Sequence, residues 1–343
     1  MTALGLQLKS NGFAAVEVET KKNTKTLKKW GYQESPDINL SLSDDESTKP
    51  YIGKLKEFLF DFGFKSNQVV TGFPQEEVFV RTIEVPPMAD KDLENYIKHE
   101  SAQYIPLPLE EVTLGYEKMP VDFSEKEKIN VLLVAAKKST VEKYIRIVKS
   151  AGLTPLALEP ESLSMARSLG SAGSVPSAEL IVEIGFKQTL ILLVYKGFVV
   201  LTRTVPFGDD FLIKALEQGL SLDTDRAVEY KNTYGLDRDK VEGKVYEVLA
   251  PVFSKIVEEI KKSKIFFGTH NSNIPVAKII VSGNTALMPG ILVYMVENFG
   301  MEVELANPWS QLDMSGVGSK RDELFAKGPI FSVSVGLALK GEK

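Results

Sequence analysis

Three short turns hold the residues that can do chemistry. The first is Gln7-Leu8-Lys9-Ser10, closing an apolar-alternating run. The second is Glu183-Ile184-Gly185, leading on to Thr189. A tight turn such as Gly185 to Thr189 can aim backbone N–H groups at a phosphate. Glu183 beside it can hold a magnesium-bound water, because magnesium takes carboxylate oxygen and keeps much of its hydration. The third is Ser282-Gly283-Asn284-Thr285, between an apolar strand and a helix start, which allows close approach of a phosphate or purine. Taken singly, each reads first as an ordinary turn: a hairpin at 185–189 and a capped strand-to-helix turn at 282–285.

The first two turns gain weight from their setting. Leu4 to Val18 (LGLQLKSNGFAAVEV) and Leu180 to Val194 (LIVEIGFKQTLILLV) align without a gap. Leu4, Leu6 and Leu8 match Leu180, Val182 and Ile184; Gln7 matches Glu183, and Lys9 matches Gly185. Each copy is a strand, a polar turn and a second strand. A long-period repeat of this kind implies two similar domains facing each other across a cleft. In the actin and hexokinase-like folds, such turns hold the phosphates and magnesium of ATP.

Composition narrows the classes. The 343 residues suffice for two domains with sizeable cores. The net charge of −5 offers no broad basic field for nucleic acid. Without cysteine there is no disulfide, thiolate metal site or cysteine nucleophile, and two histidines cannot build a multi-histidine centre. His99, between Lys98 and Glu100, belongs on an exposed face, and nothing resembles a Ser/His/Asp arrangement. No signal peptide or membrane span is evident, so the chain reads as cytoplasmic. Glu100 and Glu161, on helices without an adjacent acid, read as solvated or salt-bridged. The basic run Lys21–Lys29 reads as a solvated hairpin edge rather than a lipid contact.

Local patterns supply the elements. A hairpin is predicted over 4–18, a loop over 35–50, a helix over Tyr51–Phe62 and a buried strand over Gln68–Gly72. Residues 77–158 read as a self-contained, ferredoxin-like unit: strand, helix, strand, strand, helix, strand. It contains an acidic-basic turn, SEKEK. The Ser/Gly/Pro-rich stretch SLGSAGSVPSAE is the best linker and precedes the second repeat copy. Helices follow over Asp209–Gln218, Thr224–Tyr234 and Tyr246–Phe267. Then come a strand over Lys278–Ser282, a helix opening near Pro289, and a closing helix over Ile330–Leu339.

Several segments in order resemble the PilM family, actin-like proteins of type IV pilus assembly related to FtsA. They include YIKHESAQYIPLPLEEVTLGY (Tyr96–Tyr116) and VLLVAAKKSTVEKYIRIVKSAGLTPLALEPESLSMAR (Val131–Arg167). LIVEIG, TRTVPFGDDFL, AVEYK, SKIFFG, IIVSGNTALMPGI, VELANPW and FSVSVGLAL follow. The family's Asp-Ile-Gly-Ser turn is Gln7-Leu8-Lys9-Ser10 here. Glu183 replaces an Asp, the AE-x-x-K adenosine helix becomes Ala227-Val228-Glu229-Tyr230-Lys231, and Ser-Gly-Gly becomes Ser282-Gly283-Asn284.

The resemblance implies an actin-like (ribonuclease H-like), two-lobed α/β fold with an inserted α+β subdomain. The first-lobe base would be 1–76, 159–176 and 330–343, with 77–158 inserted. The second-lobe base would be 177–206 and 276–329, with 207–275 above it. Nucleotide contacts would fall on Ser10, Glu183, Gly185, Thr189, Lys231, Ser282, Gly283 and Asn284, with Glu183 on the metal. The altered turns imply weak ATP–magnesium binding at most, and a scaffold rather than an enzyme. The implied partner is the cytoplasmic N-terminal peptide of a PilN-like inner-membrane protein, held by Tyr96, Tyr104, Leu107 and Glu161. Other pilus assembly proteins would join it, and the chain would be peripheral at the inner membrane through partners. An actin-fold ATPase or sugar kinase is the alternative, disfavoured by Gln7 and Lys9. An FtsA-like division protein is another, disfavoured because GLALKGEK ends without an amphipathic anchor.

Overall fold

The computed structural model describes residues 2–22, 24–35, 48–119, 128–171, 177–271 and 273–341. The expected loop over 35–50, the SEKEK turn and the middle of the expected linker lie largely outside them.

Apolar alternation makes the first hairpin. β1 (Thr2–Lys9) and β2 (Gly12–Lys21) pair antiparallel, and β3 (Thr24–Glu34) adds an edge. Leu4, Leu6, Leu8, Phe13 and Ala15 drive their side chains into a core shared with Tyr51, Leu55 and Phe58 of helix α1 (Lys49–Asp61). β4 (Gln68–Phe73) then lies parallel to β1. A small sheet follows: β5 (Val78–Val85), helix α2 (Asp90–Glu100), β6 (Val112–Lys118) and β7 (Ile129–Lys137), in the order β5-β7-β6. Helix α3 (Lys138–Ser150), β8 (Thr154–Pro160) and helix α4 (Glu161–Leu169) complete this half.

The second half repeats the plan. β9 (Ala178–Ile184), β10 (Thr189–Tyr195) and β11 (Phe198–Val205) are an antiparallel meander. Helices α5 (Asp209–Leu220), α6 (Thr224–Thr233) and α7 (Lys244–His270) stand above it. β12 (Val276–Ser282), helix α8 (Ile291–Phe299), β13 (Glu302–Leu305), helix α9 (Arg321–Ala326) and helix α10 (Ser332–Lys340) follow. The sheet orders are β3-β2-β1-β4-β8 and β11-β10-β9-β12-β13, the same path twice. The repeat extends to register: Gln7 faces Ala14 and Glu183 faces Leu190 at matching positions.

The two sheets meet through α4 and α10. Met165 of α4 and Val333 and Leu337 of α10 share one core with Val70 of the first sheet and Ile181, Leu192 and Ile280 of the second. Two glycines allow the approach. A Cβ on Gly336 would fall 1.9 Å from the Ser164 carbonyl, and one on Gly5 would fall 2.0 Å from the Ser334 carbonyl.

The predicted ferredoxin-like unit is corrected. Only β5, α2, β6 and β7 make a separate layer; β8 hydrogen-bonds to β4 in the first large sheet. α3 buries Tyr144, Ile147 and Val148 among first-lobe residues. The physical reason is coverage: α2 already seals one face of the small sheet through Leu93 and Ile97. The apolar face of α3 is buried instead against the larger neighbour.

Candidate functional site

A cavity of about 350 Å³ opens between the lobes, lined by Gln7, Lys9 and Ser10 from the first turn and by Glu183, Gly185 and Asn284 from the second lobe. Alternation places Gln7 on the inward face of β1, where it is 3% exposed. Its Nε2 donates to Glu161 Oε1 at 2.9 Å, while its own Oε1 has no hydrogen-bond partner. Glu161 opens α4 and is 8% exposed. This corrects the reading of Glu161 as a solvated or salt-bridged surface acid and as a peptide contact. Pro160 ends β8 and turns the chain straight into α4, so the carboxyl lands inside the cavity.

Burial is the main force on both cavity acids. It raises the Glu161 carboxyl well above the usual carboxylate range, with Glu183 adding to the push and Gln7 and Lys9 opposing it. Burial raises Glu183 as well, while the Lys9 ammonium and the Gln7 amide pull it back. Folding therefore favours the protonated acids, whereas the unfolded chain ionises near 4.5. Above that value the native state binds more protons, so this pair costs stability as pH rises. Glu161→Gln should remove the penalty. Its melting temperature should exceed that of the parent by more at about pH 8 than at about pH 5, as calorimetry at both would show.

Lys9 stands where a turn glycine is expected from the resemblance. Its ammonium lies 5.4 Å from the centroid of the Tyr32 ring. Tyr32, on the edge strand β3, donates its hydroxyl to Glu34. The Asn284 amide crosses from the second lobe to both, reaching Glu34 Oε1 at 2.6 Å. Gln188 of the second lobe likewise donates to Glu76 of the first.

The second turn is committed to its own neighbours. The Gly185 N–H donates to the Gln188 carbonyl at 2.9 Å, and the Gly185 carbonyl accepts from the Asp209 N–H at 2.9 Å. Thr189 Oγ1 donates to the Phe207 carbonyl at 2.7 Å and is fully buried. Lys231 is buried in an ion pair with Asp209, whose other oxygen accepts Thr285 Oγ1 at 2.7 Å. Ser282 Oγ donates to Pro329 O at 3.0 Å and lies 2.8 Å from Ser332 Oγ. Gly283 has φ +87°, and a Cβ there would meet the Ile184 carbonyl at 2.5 Å, so glycine is required. Of the expected nucleotide residues, Ser10, Glu183, Gly185 and Asn284 line the cavity, while Thr189, Lys231, Ser282 and Gly283 do not. Tyr32, Glu34, Gln188 and Asp209 were not anticipated. Asp209 sits in the first turn of α5 and meets Lys231 of α6 only through the packing of the two helices, which no local pattern marks.

These residues do not fit a magnesium ion. Magnesium wants carboxylates and water in an octahedral shell. At the first turn the cavity offers a neutral amide at Gln7 and a resident ammonium at Lys9. Glu161 and Glu183 are held toward their protonated forms, while Glu34 is engaged by Tyr32 and Asn284, Glu76 by Gln188 and Asp209 by Lys231. Among the described residues no group of three or more His, Asp or Glu is placed to hold a metal.

The expected peptide residues lie elsewhere. Tyr96 and Tyr104 are half-buried against Ile83, Val85 and Leu93 on the small layer. Leu107 packs beside Ile105 and Val112. The Arg81 guanidinium lies 6.0 Å from the Tyr104 ring centroid. Glu161 does not join them.

Comparison with known proteins bears on this arrangement. The family model described as "Type IV pilus assembly protein PilM" matches residues 5–342. A chain of a PilM-PilN type IV pilus biogenesis complex superposes with a TM-score of 0.84 at 24% identity, covering 99% of this chain and 98% of that one. The ethanolamine utilization protein EutJ from Carboxydothermus hydrogenoformans gives 0.60 at 16% identity, covering 99% and 90%. MreB 5 of Spiroplasma citri, bound to AMPPNP, gives 0.51 at 16% identity, covering 98% and 94%. The fold is the actin-like, two-lobed α/β fold.

Proposed function

The chain belongs to the PilM family of type IV pilus assembly proteins, and from that premise we propose that it is a scaffold holding the cytoplasmic N-terminal peptide of a PilN-like inner-membrane protein. The observation that carries this reading is the likeness to the PilM-PilN complex along 99% of the chain. The scaffold sits in the cytoplasm, reaches the inner membrane through that partner, and offers its remaining surface to other pilus assembly proteins. The peptide lies against the small layer, with Tyr96, Tyr104 and Leu107 as apolar anchors. Their half-buried side chains suit a preformed groove with a polar rim.

The nucleotide site is degenerate in this reading. One actin-like neighbour, MreB 5, is bound to AMPPNP, but here Gln7, Lys9 and the committed second turn leave little for a magnesium-bridged triphosphate. ATP binds weakly at most, with Lys9 acting as a point charge on phosphate. The amide at Gln7 and the ammonium at Lys9, where the resemblance expects an acid and a glycine, favour a scaffold over an ATPase or kinase.

One experiment separates these roles: titration of the protein with the partner's N-terminal peptide, and in parallel with magnesium-ATP. The peptide should bind, and Leu107→Asp or Tyr104→Ala should weaken it at least about tenfold, a fair share for an anchor residue. Unchanged affinity in both folded variants would move the site elsewhere. Magnesium-ATP should leave the melting temperature nearly unmoved. The double variant Gln7→Asp/Lys9→Gly should gain a shift, approaching about 2.7 kcal/mol at a hundredfold excess over its Kd. Brisk hydrolysis by the parent would overturn the degenerate-site reading.

A further inference from the structure

We propose that the β2–β3 hairpin, read from the sequence as a solvated edge only, is together with Phe60 a docking surface for an anionic phospholipid membrane. The proposal stands independently of the peptide site. Residues 19–29 hold five lysines and one glutamate in a chain of net charge −5. The remainder of the molecule is therefore more acidic than the whole, and an anionic surface would draw this end inward and repel the rest. Lys21 is 74% and Lys28 46% exposed at the side chain, and both share the single carboxylate of Glu19. Lys22 and Lys29 are exposed and make no ion pair among the described residues. Glu17 offers no relief, because it is buried and accepts the N–H groups of Lys65 and Ser66.

The second observation is apolar. Phe60 is 85% exposed, more than any other large hydrophobic residue among those described. Its carbonyl accepts the Gly63 N–H at 3.0 Å. A Cβ on Gly63 would lie 3.9 Å from Lys29 Nζ, so the loop after Phe60 runs against the basic strand. A bare aromatic on the helix end whose following loop Lys29 reaches is, with the hairpin's lysines, the combination that an anionic bilayer satisfies at once: charge with the headgroups, ring into the acyl boundary. An acidic protein would satisfy the charge and leave the ring without a use.

Position agrees with this use. The hairpin tip, where Lys21 pairs with Thr24, is at the opposite end of β2 from Gly12, which pairs with Lys9 beside the cavity. Ten extended residues span about 33 Å, so a membrane at the tip leaves the cleft clear.

The test is co-sedimentation of the whole chain with phosphatidylcholine vesicles, with and without phosphatidylglycerol, over a range of salt. Binding should require phosphatidylglycerol and fall steeply as salt rises. Removing one lysine should weaken it about fivefold, so Lys22→Gln/Lys29→Gln should lose at least about twentyfold. Phe60→Ser should weaken it without changing the salt slope. All these residues are exposed, and unchanged melting would show that the variants remain folded. Equal binding to vesicles without phosphatidylglycerol, no binding to either, or equal binding by the double variant would overturn the proposal. Competition by soluble polyglutamate as effective as that by vesicles would overturn it too, in favour of an acidic protein.

Discussion

Gly336→Ala should destabilise the protein by about 3 kcal/mol or more, at the upper end for overpacking a tight core. The added methyl would sit 1.9 Å from the Ser164 carbonyl oxygen and 2.4 Å from its carbon. Those are backbone atoms of α4, so no side-chain rotation can make room. α10 cannot retreat either, since Gly5 of β1 touches it from the other side, where a Cβ would be 2.0 Å from Ser334 O and 2.4 Å from Ala338 N. Relief therefore requires separating α4, α10 and β1, which opens the core shared by both sheets. Gly53→Ala is the matched control. Gly53 lies exposed on α1 with nothing within 4 Å of a new Cβ, and alanine there should stabilise by up to about 1 kcal/mol. Urea midpoints of the two variants test the contrast; a Gly336→Ala midpoint equal to the parent would refute the described crossing.

Asp209→Ala should cost about 3–5 kcal/mol, because it strands a buried ammonium. Lys231 has a side chain only 6% exposed, and Asp209 is its partner. The same change leaves Thr285 Oγ1 without its acceptor. Lys231→Met should cost less, since the acid it leaves still accepts from Thr285. The double variant Asp209→Ala/Lys231→Met should recover much of the loss, as replacing both members of a buried pair often does. A double-mutant cycle in denaturant measures this directly. Additive costs would mean that the pair contributes nothing through its contact.

The elements that the sequence made legible are those with a strong local signature. The repeated hairpins show alternating apolar residues, and the turn at 282–285 is marked by an apolar strand before it. What remained hidden depends on distance. Asn284 reaches Tyr32 and Glu34 across 250 residues or more of chain, and none of these residues carries a local sign of the meeting. The edge strand β3 was masked by its lysines, although Leu27 within it is 3% exposed. The limit of the small layer was misread because the apolar face of α3 would suit either sheet. Glu161 looked like a surface acid because its helix is short and polar; only the path out of β8 turns it inward. Lys231 was expected to meet adenosine through the family resemblance, and its buried acid partner could not be seen from spacing alone.

The packing of α10 against β1 also sets an order of events. β1 is synthesised long before α10, yet Gly5 and Ser334 are in contact. Until α10 arrives, Val16 and Val18 lack the Val335, Ala338 and Leu339 that cover them. A contact of such long sequence separation closes late and slowly, because most of the loop entropy must be lost before it gives any return. The nascent first sheet therefore waits, partly bare, while the second is being made. α10 acts as a latch, and it cannot engage until it has itself left the ribosome.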